Sequence, residues 1–88
     1  MTAIPDDLNA IVLKIAQIVI DELKIEDLTA TSFDPEMDLV DELGIDSMDL
    51  TTVVLVLQDA FEVVIEEDDY PTLSNLRKMA EYIAAKRA

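Results

Sequence analysis

The chain contains no cysteine and no histidine, and each absence removes a class of chemistry. Without cysteine there is no disulfide and no thiolate nucleophile. Without both residues there is no Cys/His zinc site and no Ser-His-Asp or Cys-His catalytic group of the chain's own. Basic residues are scarce: six lysines and arginines face 20 aspartates and glutamates in 88 residues, a net charge of −14. A nucleic-acid partner is excluded on that ground, because phosphate binding needs a basic footprint. One glycine and three prolines leave little turn-forming material, and no stretch alternates with period two, so helices are expected. Long apolar runs are missing too. Ile11 to Ile20 is interrupted by Lys14 and Gln17, short of the roughly 20 apolar residues a spanning helix needs, so no stable membrane insertion is expected. Asp6 and Asp7 stand where a secretory signal would carry positive charge, which favours cytoplasmic residence.

What is present is apolar and acidic together. Hydrophobic residues make up 51% of the chain, too many for a solvated acidic tail, since disorder needs low hydrophobicity along with high charge. The length supports a single domain over residues 1–88, near the lower end of what buries a core without staples. The start at Met1 and the tidy end lead to the expectation of a free-standing protein, and of a monomer. An acidic field favours basic protein surfaces and steers them over a Debye length, roughly 8 Å at physiological salt. The composition therefore describes a small partner of other proteins, not a self-sufficient enzyme.

The expected fold is all-α: a small four-helix bundle of three main helices plus one short helix, with a long loop between the first and second. The first helix is expected from Pro5 or Asp6 to Leu23, with Leu8, Ile11, Val12, Ile15, Ile18 or Val19, and Glu22/Leu23 on its buried face. Pro5 is tolerated at a first helical position, and Asp6 and Asp7 suit the positive end of the helix dipole. From Lys24 to Ile45 the periodicity fails and acids recur. A connection this long is usually functional or partly self-packed, and Phe33, Met37, Leu39, Leu43 and Ile45 are expected to pin it to the core. The second main helix runs from Asp46 or Ser47 to Phe61. Val53, Leu57 and Phe61 form its core stripe with Leu50 and Val54 beside it, while Met48, Thr51 and Leu55 lie on another side. A helix apolar nearly all round is either fully buried or carries a second face for partners. Val63-Val64-Ile65 has no strand to pair with and reads as an extended connection. One helical turn follows around Glu66 to Asp69, stopped by Pro71. Thr72 is expected to cap the last helix, whose buried stripe is Leu73, Leu76, Met79 or Ala80, Ile83 and Ala84. Lys86 and Arg87 sit at its C-terminus, where positive charge is favoured.

The informative stretch is Leu43-Gly44-Ile45-Asp46-Ser47-Met48-Asp49. The sole glycine permits backbone angles closed to other residues and so a sharp turn into the helix. Asp46 suits the N-cap and Asp49 the first turn. If Asp46 caps, the Ser47 hydroxyl is left free for an incoming enzyme. Ser47 could equally be the cap itself, and the residues alone leave both readings open.

Gly44-Ile45-Asp46-Ser47-Met48-Asp49 resembles the Asp-Ser-Leu motif of acyl carrier proteins, and about four-fifths of the chain shares the likeness. The further points are the first helix, the acidic loop with Asp34-Pro35 and Asp38, the Leu-Gly approach, Phe61, the Ile65-Glu66-Glu67-Asp68 segment and the last helix with Tyr82-Ile83. The resemblance implies that a separate phosphopantetheinyl transferase attaches 4′-phosphopantetheine from coenzyme A to Ser47 through a phosphodiester, supported by Gly44 and Asp46. The arm's thiol then carries acyl groups as thioesters between acyl-transferring and condensing enzymes of fatty-acid, specialised lipid or polyketide synthesis. A helix N-terminus suits the phosphodiester's charge. The resemblance also assigns Asp46, Met48, Asp49, Thr51, Leu55 and Asp59 to the surface that meets basic patches on partner enzymes, although Met48 and Leu55 could be ordinary core. Fatty-acid carriers usually place acids along this helix. Here Thr51, Thr52, Val53 and Val54 fill its middle and Gln58 and Ala60 stand further on, while Asp68-Asp69-Tyr70-Pro71-Thr72 is an uncommon form. These departures suggest a specialised cargo, a polyketide, an unusual lipid or an aminoacyl group. Val12, Ile15, Val53, Leu57, Ile65 and Ile83 could shelter an acyl chain or simply be core.

Other chemistries fit less well. Aligning Gly44 with the invariant glycine of a calcium loop puts Leu39, Leu43 and Leu50 at ligand positions, so no specific metal site is expected, only nonspecific association of divalent cations with the acidic loop. A carboxylate-pair hydrolase would need a pocket that so small a bundle hardly offers. The rival from another class is a non-modified acidic helical adaptor that docks a basic partner.

Overall fold

The computed structural model describes residues 6–87. Among them the chain is all-helical: α1 (Asp6–Leu23), α2 (Leu39–Leu43), α3 (Ser47–Phe61), a 3-10 segment (Glu67–Thr72) and α4 (Leu76–Arg87). Pro5 and the side chains of Asp6 and Asp7 lie outside the described residues.

Helix α1 packs against both α3 and α4. Its three-to-four spacing buries Val12, Ile15, Ala16 and Val19, with Leu8, Ile11, Ile18 and Leu23 half-buried at the margins. Of the alternatives at the fifth position Val19 is the buried one, and Glu22 is exposed. Val53, Val54, Leu57 and Phe61 answer from α3, and Leu76, Met79, Ala80 and Ile83 from α4. Each such valine, leucine, isoleucine, phenylalanine or methionine contributes on the order of 1.5–3 kcal/mol when fully withdrawn from water. Basic side chains finish the edges: Lys14 lies 5.0 Å from the centre of the Phe61 ring and Arg87 5.9 Å.

The long connection behaves as expected in part. Phe33, Leu39 and Ile45 are buried and Met37 and Leu43 half-buried, so they do pin it to the core. It is not free of regular structure, however, because Leu39–Leu43 forms α2. Asp38 starts that helix by accepting the Val40 and Asp41 N–H groups on Oδ1 at 3.0 and 2.9 Å. The connection is also tied to the start of α4: the Leu39 N–H donates to the Ser74 carbonyl at 2.9 Å, and the Arg77 N–H to that of Pro35 at 3.0 Å. These bonds use first-turn groups that a helix cannot satisfy internally.

Two boundaries differ from expectation. Pro71 does not stop the turn before it but lies inside the 3-10 segment, which runs on to Thr72. The proline's missing N–H falls between the bonds at the segment's two ends, which the Asp69 and Leu73 N–H groups donate to the Glu66 and Tyr70 carbonyls. Thr72 does not cap the last helix: its Oγ1 donates back to the Asp69 carbonyl at 2.6 Å. Asn75 takes that role, its Oδ1 accepting the Lys78 N–H at 2.8 Å, so α4 begins at Leu76 and buried Leu73 precedes it. Ala84 is only half-buried.

Candidate functional site

The site is built where α2 ends and α3 begins. Gly44 closes α2 with φ 67° and ψ 28°, its N–H bonded to the Val40 carbonyl at 3.0 Å. This is the left-handed position that terminates helices and that L-residues adopt at a cost. A side chain would have room there, since a Cβ at Gly44 would meet nothing within 4 Å. The requirement for glycine is therefore one of backbone angle. It lets the chain leave α2 and, two extended residues later, enter α3.

Asp46 is the N-cap of α3, in extended conformation, and its Oδ1 accepts the Asp49 N–H at 2.8 Å. The cap position is thus taken. Ser47, the first residue of the helix, is exposed, and its hydroxyl makes no hydrogen bond among the described residues. Of the two sequence readings of Ser47, the geometry selects the free hydroxyl. Its carbonyl is occupied, accepting from Thr51 Oγ1 at 2.8 Å, and Thr52 Oγ1 donates likewise to the Met48 carbonyl at 3.1 Å.

The hydroxyl stands beside a cleft of about 460 Å³. Ser47, Leu50 and Thr51 of α3 line one wall, and Glu67, Tyr70 and Pro71 of the 3-10 segment the other. The second wall escaped the sequence reading because its residues carry no helical period. The one available signal was an aromatic and a proline set among acids.

The field around the site has one sign. The basic residues are Lys14, Lys24, Arg77, Lys78, Lys86 and Arg87, so none falls between Ile25 and Leu76, where most of the 20 acids lie. Among the described residues, no three carboxylates approach closely enough to hold a metal ion.

The expected surface residues lie at the start of α3 and along it. Asp46, Met48, Thr51, Leu55 and Asp59 are exposed and Asp49 is half-buried. Met48 at 78% and Leu55 at 58% are among the most exposed large apolar side chains, which removes the core reading for both. The sequence departures are redistributed. Val53 and Val54 are core, and Gln58 and Ala60 are half-buried. Gln58 closes the end of α3, its Oε1 accepting the Ile65 N–H at 2.8 Å and its carbonyl the Val63 N–H at 3.2 Å. Only Thr51 and Thr52 of that set lie on the outer surface. The shelter candidates Val12, Ile15, Val53, Leu57, Ile65 and Ile83 are all buried in one continuous core.

The fold and the site thus present an exposed, unengaged serine at a helix start in an acidic field. The comparisons with known proteins supply its class. The family described as "Phosphopantetheine attachment site" matches residues 13–83. The acyl carrier protein of Syntrophobacter fumaroxidans is 32% identical over 82 residues, 93% of this chain and 98% of the relative. That of Nitratidesulfovibrio vulgaris is 30% identical over 74 residues, covering 84% and 93%. In fold, the solution structure of a candidate acyl carrier protein from Anaplasma phagocytophilum superposes with a TM-score of 0.78 at 22% identity, covering 100% of this chain and 97% of that one. The chain belongs to the acyl carrier protein family.

Membership makes it a carrier and not an enzyme, with covalently attached 4′-phosphopantetheine as cofactor. Its general partners are the phosphopantetheinyl transferase that installs this group and the biosynthetic enzymes that use it. The chain's residues fit the group: the Ser47 hydroxyl is free and exposed, with a cleft alongside and a helix N-terminus beneath. No helix among the described residues is long and apolar enough to cross a membrane.

Proposed function

We propose that Ser47 is the attachment point of 4′-phosphopantetheine and that the whole chain, as one domain and as a monomer in the cytoplasm, shuttles acyl intermediates between biosynthetic enzymes. One observation carries the reading. Asp46 satisfies the helix start through the Asp49 N–H, which leaves Ser47 without structural employment. When bound, the group supplies a thiol that holds acyl cargo as a thioester.

The chain's own residues do three things. Gly44 and Asp46 fix the direction in which Ser47 leaves the helix start. The backbone N–H groups at the start of α3 and the helix dipole favour an anion on the serine oxygen. Asp46, Asp49 and Asp59 draw a basic enzyme surface toward the serine, while Met48, Thr51 and Leu55 supply contact area once water is excluded. The Ser47 oxygen displaces adenosine bisphosphate from the phosphopantetheine phosphate of coenzyme A, and a base of the transferase takes the hydroxyl proton.

The cargo belongs to fatty-acid, specialised lipid or polyketide synthesis. Support for a specialised cargo now rests on Thr51, Thr52 and Leu55 outside and on Tyr70 beside the cleft. Full-speed elongation of the loaded protein by a generic fatty-acid synthesis system would remove the specialised reading.

The test of the attachment is co-expression with a broad-specificity phosphopantetheinyl transferase, followed by weighing the intact protein. One added phosphopantetheine, absent in Ser47→Ala, is expected. No addition while a control carrier is modified would favour the acidic adaptor.

A further inference from the structure

The outer wall of the cleft is weakly held by apolar contacts. No residue of the 3-10 segment is fully buried: Tyr70 packs half-buried against the core, and full burial falls only to the neighbours Ile65 and Leu73. Inside the segment, the Asp69 N–H donates to the Glu66 carbonyl at 3.0 Å, and the Leu73 N–H to that of Tyr70 at 3.0 Å. These bonds shape the segment without fastening it to anything. The fastening comes from α4. Tyr82 Oη donates to Asp69 Oδ2 at 2.7 Å and accepts the Glu66 N–H at 3.3 Å. One half-buried phenol thus grips the segment at its leading residue and at its third helical position, immediately before Tyr70 and Pro71 face α3 across the cleft.

We propose that Tyr82 is a positioning residue for the cleft: through Asp69 and the Glu66 N–H it fixes the separation of the 3-10 wall from α3, and so the shielding of a thioester carried beside Ser47. The shielding rests on the Ser47 reading above; the wall itself does not. The two bonds of the Tyr82 hydroxyl, to Asp69 and from the Glu66 N–H, are the only side-chain hydrogen bonds from α4 to the segment and its cap among the described residues. With them gone, Ile65 and Leu73 act as two hinges and the stretch between them, Tyr70 included, can move away from Leu50.

Tyr82→Phe removes the oxygen and keeps the ring, including its contact with Lys86, whose Nζ lies 5.4 Å from the ring centre, so the variant is expected to fold. The first measurement is backbone amide exchange on the protein without its arm. The Glu66, Asp69 and Leu73 amides should exchange about tenfold faster, equivalent to about 1.4 kcal/mol, while those of Val54 and Leu57 stay unchanged. Asp69→Asn keeps an acceptor for the phenol and should lie close to wild type. Unchanged exchange, or an equal increase throughout the chain, would overturn the proposal, because the phenol would then be idle or merely a contributor to global stability. The second measurement loads the arm on Ser47 with an octanoyl group as its thioester and times the cleavage by hydroxylamine. Tyr82→Phe should speed cleavage and Asp69→Asn should not. A loosened wall with an unchanged cleavage rate would overturn the shielding. If Ser47 takes up no arm at all, the attachment reading fails, and amide exchange still decides what Tyr82 does.

Discussion

Asp46 accepts the Asp49 N–H on its own carboxylate at 2.8 Å, and that bond is what sets Ser47 free. Two residues that sequence alone treats as interchangeable caps are given separate tasks by their order in the chain.

Removing the cap should therefore be felt twice. Asp46→Ala is expected to lower stability by about 1 kcal/mol in urea unfolding, and Asp46→Asn, which still offers an oxygen, by only a few tenths. Modification of Ser47 should slow more in the alanine variant than in the asparagine one. Equal stability in both variants would show that Asp46 does not cap.

Positive backbone angles occur at Gly44, with φ 67°, and at the non-glycine residues Lys24 and Glu62, with φ 54° and 56°. Gly44→Ala should cost about 1 kcal/mol, since only the angle opposes it. Glu62→Gly should gain about 0.5 kcal/mol, the left-handed penalty being partly offset by the freedom of glycine in the unfolded chain. Glu62→Asn removes the same charge and tolerates the angle less well than glycine. Thermal unfolding should rank it between the two, and asparagine equal to glycine would attribute the gain to charge alone.

Leu57 and Leu55 sit two residues apart on α3 and should respond in opposite ways. Leu57 is fully buried, and Leu57→Ala is expected to cost about 2–5 kcal/mol. Leu55→Ala should change stability by less than about 0.5 kcal/mol yet weaken binding to a partner enzyme. Titration of the two loaded proteins against a condensing enzyme, beside their unfolding curves, separates the roles.

A net charge of −14 on so small a molecule means self-repulsion in the folded state. Added sodium chloride or millimolar magnesium should raise the melting temperature. A flat response to both would mean that the acids are spaced widely enough not to interact.

Much of this was legible in the chain. The apolar spacing of α1 and α3 gave both helices with their boundaries, because burial on one side of a helix leaves a periodic trace. The exposure of Met48 and Leu55 was only half legible: their place off the Val53/Leu57/Phe61 stripe points outward, but periodicity alone favours ordinary core, and the structure decides for the surface. What stayed hidden depends on bonds between distant segments. Gln58 looked like a missing surface charge, and no local pattern announces an amide reaching seven residues ahead to Ile65. Likewise the Tyr82–Asp69 bond spans thirteen residues and two elements with no shared period. Helix α2 was readable after all: Asp38 before it, Asp41 and Glu42 in its first turn and Gly44 behind it make a start and a stop around only five residues. The start of α4 was misplaced at Thr72, because a threonine after a proline is a good cap locally, and only the structure shows Asn75 capping three residues on.

Thr51 and Thr52 spend their hydroxyls on the carbonyls of Ser47 and Met48, one turn back. A hydroxyl folded inward this way leaves the γ-methyl as the outward part of the side chain. To an approaching enzyme these exposed positions feel closer to a pair of valines than to polar residues. Covering them strips away little bound water and demands no matching donor or acceptor. On the docking face proposed above, they would extend the apolar area of Met48 and Leu55 along α3, an extent that a hydropathy count of the sequence understates.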